Sequence, residues 1–167
     1  MTLNPDMVRL AREARGMTQN ELADAANMQQ GTVSKAENGL LNLDPSRVAV
    51  LAAALHYPAD LLCAPAHAEA VLALFNRKLK TTPSPKVRAA QARVNLARLH
   101  LSRLLDGVHL EHDYSFPQLD LDELEGDVER AAQTVRRTWR LPMGPIRNLT
   151  NAVEAAGGII AELDFGA

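Results

Sequence analysis

The chain has 167 residues, 47% apolar and 23% charged, an ordinary globular composition that excludes a wholly disordered or collagen-like chain. A single cysteine, Cys63, excludes an internal disulfide framework and fits a reducing cytoplasm. No apolar run approaches the roughly 20 residues of a membrane span, Met1 to Leu10 lacks the apolar core of a secretion signal, and aromatics at 4% argue against stacking platforms for single-stranded nucleic acid. The net charge of −2 hides an asymmetry. Residues 1–64 carry 5 basic and 7 acidic side chains, residues 65–105 carry 8 and 1, and residues 106–167 carry 5 and 12. Either the basic segment reaches an anionic partner, or the two segments neutralise each other within the fold or across a dimer.

Asn4-Pro5 opens a first helix, with Asn as N-cap and Pro at the first helical position. Val8, Leu10, Ala11 and Ala14 supply its inward face, and Gly16 ends it. Thr18 and Glu21 form a capping box that starts a second helix holding Leu22, Ala23 and Ala26. Asn27 takes the sharp turn that follows, because Asn tolerates the left-handed conformation. A third helix runs from about Gln30 to Asn38, with Val33 and Ala36 inward and Gly39 as its stop. Asp44-Pro45 caps a fourth through Leu55, and Pro58 opens a fifth with Leu61 and Leu62. Five short helices make one compact unit, residues 1–64.

Residues 65–167 form a second, helical region. His67 to Lys80 has a helical pattern, and Thr81-Thr-Pro-Ser-Pro85 reads as a linker. Val87 to Leu105 is a long helix whose Val94, Leu96, Ala97, Leu101, Leu104 and Leu105 recur at helical spacing. Gly107 to Pro117 is a loop. Leu121 to Trp139 and Pro145 to Ala156 are further helices, and Gly157-Gly158 stops the second. Ile159 to Leu163 has a strand composition but no strand to pair with. The expected fold is therefore mainly all-α.

Two short helices joined by a tight turn, Thr18 to Asn38, describe a helix-turn-helix. The residues Arg9-Leu-Ala-Arg12, Thr18-Gln19-x-x-Leu22-Ala23 and Met28-Gln-Gln-Gly-Thr-Val33-Ser34-Lys35-x-Glu37-Asn38-Gly39 resemble the Xre or lambda-repressor-like (Cro-type) family. Leu51 to Leu55 and Pro58 to Leu62 match that family's closing helices. A recognition helix exposes small or polar residues at its N-terminal end to reach base edges. Gln29, Gln30, Gly31, Thr32 and Lys35 provide that face. Gln bonds bidentately to adenine, Lys donates to guanine, and the Thr methyl touches thymine. Thr18 and Gln19 start the preceding helix, where the resemblance implies phosphate contact and free N–H groups favour it. Ser34 and Asn38 are further phosphate candidates by resemblance, and Glu37 has a structural role near the helix end. Two departures stand out: Asn27 replaces a frequent Gly, and Gln29, a poor N-cap, replaces a frequent Ser or Thr. The resemblance implies double-stranded DNA as partner, transcriptional control, most simply repression, and a homodimer with half-sites about one helical turn apart. The long helices of the second region supply the dimer or effector surface.

Trp139-Arg-Leu-Pro142-Met-Gly144-Pro145-Ile146-x-Asn148-Leu149, followed by Gly157-Gly-Ile-Ile160, resembles the opening of an ImmA/IrrE-type metallopeptidase domain. The H-E-x-x-H zinc helix of that family is absent, since none of His56, His67, His100, His109 and His112 is followed by Glu. The chain then reads as the front portion of such a protein, as a regulator that has lost the peptidase, or as an antitoxin-like module gripping a protein through residues 65–167. No catalytic residue, metal site or cofactor is expected. His109-x-x-His112 with Glu111 and Asp113 reads as a polar loop, Cys63 as a small core residue, and the acidic run Asp120 to Glu129 as a solvated helix start. Met7, Met17 and Met28 fall at core positions.

Overall fold

A computed structural model of the chain describes residues 2–65, 84–109, 111–120 and 122–163. It divides into two compact units, residues 1–106 and 107–164. Each described element is helical, and no helix among the described residues is long and apolar enough to cross a membrane.

The first unit contains α1 (Pro5–Ala14), α2 (Gln19–Ala25), α3 (Gln30–Glu37), α4 (Pro45–Leu55), α5 (Ala59–Leu62) and α6 (Ser84–Leu105). Asn4 caps α1 by accepting from the Asp6 amide at 3.1 Å. It also ties the start of the chain to the end of α5, its own amide donating to Leu62 O and Nδ2 to Ala64 O. The two helices that open on Asx-Pro, α1 and α4, start where the sequence places them, because the cap side chain and the ring satisfy or remove the free donors. His56 ends α4 in the left-handed region at φ +54, a position the sequence does not mark.

Two apolar clusters meet at α1. Val8 and Ala11 face Leu22, Ala23, Val33, Ala36, Val48, Leu51 and Leu55. Met7 and Ala14, with Leu10 partly buried beside them, face Leu61 and Ala64 and the α6 residues Ala92, Leu96 and Leu99. Each fully buried large aliphatic side chain contributes about 1.5–3 kcal/mol, which makes these clusters the main support of the unit. Arg93 Nε donates to Ala14 O at 2.9 Å and closes the end of α1.

The position of α6 differs from the sequence reading. Pro65 and the alanine-rich stretch after it suggest a boundary at residue 64, with the long helix in the second region; α6 instead packs on α1 within the first unit. Ser84 and Pro85, read as linker, are its first residues, a place where Pro costs no hydrogen bond. The rest of that linker and the His67 to Lys80 pattern lie outside the described residues.

The second unit holds α7 (Val128–Thr138) and α8 (Leu149–Ala155). Trp139 is buried, donates from Nε1 to Ser115 O at 2.9 Å and meets Phe116 edge-on at 5.0 Å. The amides of Asp113 and Tyr114 both donate to Ala155 O, which fastens the 107–117 loop to the end of α8. Both helices begin later than their apolar spacing suggests. Glu125 and Gly126 have positive φ and break the chain direction, so α7 starts only after Asp127 caps it. Asn148, not Pro145, caps α8. Residues 159–163 form no strand.

Candidate nucleic-acid interface

Thr18 Oγ1 accepts from the Glu21 amide, and Glu21 Oε2 accepts from the Thr18 amide at 2.7 Å, so the capping box is reciprocal. The backbone and hydroxyl hydrogen bonds of Thr18 hold the Glu21 carboxyl below its ordinary pKa. Asp44 is lowered in the same way by the Ser46 hydroxyl and the Arg47 amide. Asn27 turns the chain between α2 and α3 at φ +49. Gln29 caps α3 with no side-chain hydrogen bond, as its poor capping chemistry suggests, yet α3 still begins at Gln30.

On α3, Val33, Ala36 and Glu37 point inward. Gln29, Gln30, Gly31 and Lys35 are exposed, and Thr32 and Ser34 are half-buried. A Cβ added at Gly31 would meet nothing within 4 Å, so this spot is open to an approaching partner. Thr32 and Gln29 line a surface depression together with Met28, Arg47 and Val50. Arg47, exposed three residues after the Asp44 cap, was not among the residues singled out in the sequence.

Behind α3 lies a connected polar chain. Arg12 clamps Glu37 with both arms, Nε to Oε1 at 2.5 Å and Nη2 to Oε2 at 3.0 Å, and donates from Nη1 to Met17 O. Glu37 is 1% exposed. Partial burial opposes the Arg12 charge, but the hydrogen bond and charge of Glu37, aided by Glu13, outweigh it and hold the guanidinium above its ordinary pKa. Gln19 Nε2 donates to Glu37 Oε2 at 2.8 Å, and Gln30 Nε2 donates to Gln19 Oε1 at 2.9 Å. Arg9 donates to Glu37 O at 2.8 Å, and Asn38 Nδ2 to Ser34 O, so both secure the end of α3. The structural role read for Glu37 is thus visible; the roles of Arg9 and Arg12 as its partners were not.

These elements place Thr18, Gln19, Gln30, Ser34 and Asn38 around one exposed helix pair. Residues 8–62 match the family model described as Helix-turn-helix. This segment, about a third of the chain, is therefore similar to helix-turn-helix domains. No curated protein and no solved structure matches the chain.

In the second unit, His109, Glu111, His112 and Asp113 line a shallow surface with Ala155. Among the described residues no three His, Cys, Asp or Glu side chains converge as a metal site would require.

Proposed function

We propose that the protein is a sequence-specific regulator that binds duplex DNA as a homodimer and represses by occluding a promoter. Gln29, Gln30, Gly31, Thr32 and Lys35 read base edges, and Thr18, Gln19, Ser34 and Asn38 contact phosphates. The observation that carries this reading is Gln30, exposed at the first turn of α3 and held by Gln19 from the start of α2. An amide tethered this way is presented to a major groove with little rotamer freedom left to lose.

The dimer forms through the side of α6 turned away from α1. Val94 and Leu101 lie there by helical periodicity, and Leu104 beside them is 74% exposed. Residues of the second unit serve a protein partner or effector: Val128, Met143 and Leu149 are all more than half exposed there.

Fluorescence anisotropy against the DNA upstream of the protein's own gene, with random duplex as control, tests the reading. Specific binding by three to seven orders of magnitude over random duplex is typical of such regulators. Equal affinity for both duplexes would refute it.

A further inference from the structure

We propose that the arginine face of α7 is a docking surface for the acidic turn that precedes α7 in a second copy, so that two second units pair around a two-fold axis. This contact is separate from the α6 pairing proposed above and does not rest on it.

Charge is segregated within the second unit. Residues 107–129 carry eight acidic side chains and no Lys or Arg, whereas residues 130–147 carry five arginines and no acid. Arg136 is spent inside the fold, donating to Pro142 O and Gly144 O. Arg130 and Arg137 stand seven residues apart, on one exposed side of α7 and away from the half-buried Ala131 and Val135. Arg140, also exposed, follows just past the helix end. The acidic side is a hydrogen-bonded turn: the amides of Leu124, Glu125 and Asp127 donate to Asp120 O, Asp122 O and Leu124 O. It leaves Asp122, Glu123 and Glu125 exposed. Among the described residues, neither these carboxylates nor Arg130, Arg137 and Arg140 form an ion pair.

Local structure does not account for this arrangement. A helix dipole favours acids in the first turn and cations in the last, which explains Glu129 and Arg137. Asp122, Glu123 and Glu125 lie outside α7, and Arg130 sits in its first turn, where the dipole opposes a cation. Every cation of the unit is arginine. Arginine enriched over lysine marks protein interfaces, and its fork grips a carboxylate through two parallel bonds. The unit holds more acid than base, but charges more than about 8 Å apart are screened at physiological salt, so the groups that face each other decide. Because each copy carries both patches, a two-fold axis sets each acidic turn against the other copy's arginines and makes every contact twice.

Charge reversal tests the pairing, with analytical ultracentrifugation of the full chain in a Leu104→Glu background that removes the α6 contact. R130E/R137E/R140E and D122K/E123K/E125K should each self-associate at least about tenfold more weakly than the parent, because like charges then face each other. In an equal mixture, one contact is the native one and the other is the same contact with its signs exchanged. The mixed pair should therefore form at least about tenfold more tightly than either variant alone. A cooperative urea transition confirms that each variant folds. A mixture no tighter than its components would overturn the pairing, as would a parent that stays monomeric up to about 1 mM. Weakening in the arginine variant alone would assign that face to a different acidic partner and overturn pairing between copies. If Leu104→Glu leaves the wild-type assembly unchanged, the α6 reading fails while the charge-reversal result stands on its own.

Discussion

Replacing Arg12 by Met isolates the energetic weight of the Arg12–Glu37 pair. The two side chains are 11% and 1% exposed. Met keeps most of the Arg stem but removes both bonds to the carboxylate and the bond to Met17 O. Glu37 is then left charged and enclosed, with Gln19 as its remaining side-chain donor. Breaking a buried pair in this way costs about 3–5 kcal/mol, a large part of the roughly 5–15 kcal/mol that holds a domain together. At about 4–8 °C per kcal/mol for a unit of this size, the midpoint should fall by at least about 12 °C. Urea unfolding followed by far-ultraviolet circular dichroism measures the loss directly. R12M/E37M should be more stable than Arg12→Met alone, because the double change leaves no buried charge behind. A loss below about 1 kcal/mol for Arg12→Met, the value of an exposed pair, would refute the assignment of a desolvated clamp.

Gly31→Ala should raise stability by about 0.5–1 kcal/mol, since it improves helix propensity in open space, and should weaken DNA binding where a base edge approaches that surface; unchanged affinity would move the contact face elsewhere. Gly39→Ala should cost about 1–2 kcal/mol in a urea titration, because φ is +70 there while the added Cβ meets only Pro5 Cγ at an ordinary 3.5 Å. Acid should destabilise the capped helices in a defined direction. Glu21 and Asp44 are lowered in the folded state, so the unfolded chain binds more protons as pH falls. Their stabilisation is complete above the ordinary carboxylate range, near about pH 4, and is lost as pH falls through the folded values. Urea midpoints should decline over that window, and less so in Glu21→Gln.

The starts of α1, α2 and α4 were legible because capping is local chemistry. Thr18 and Glu21 stand three residues apart and satisfy each other, and Asn4 and Asp44 precede prolines. The turn was legible because Asn27 is one of the few non-Gly residues suited to it. The Arg12–Glu37 clamp was not, because 25 residues separate the partners and no local pattern links them. Nor was the inner face of α6. Apolar residues run along both sides of that helix, and the side that packs on α1 uses Ala92, Leu96 and Leu99 rather than Val94, Leu101 and Leu104. In the second unit, the acidic residues before Asp127 looked like a helix start favoured by the dipole, but Glu125 and Gly126 already turn the chain there.

The charge asymmetry has a consequence for binding that salt can measure. Of the five cations in residues 1–64, Arg12 is spent on Glu37, and Arg15 is held by Leu55 O, His56 O and the Tyr57 ring. Arg9, Lys35 and Arg47 are exposed and stand near α3. Counting Lys35 at the groove edge together with Arg9 and Arg47, a dimer would bring about six cations against the anionic duplex, for a slope of about −5 in log affinity against log salt. On the proposed reading, the neutral donors Gln19, Ser34 and Asn38 would add affinity without releasing counterions. The α6 cations Lys86, Arg88 and Arg103 are exposed too, but α6 packs on a different face of α1 from the one that meets α3. They should not enter the count. Converting all three to Gln should leave the slope unchanged. A wild-type slope near about −11, falling toward −5 in that variant, would show that DNA reaches α6 and that the contact surface extends beyond the helix-turn-helix.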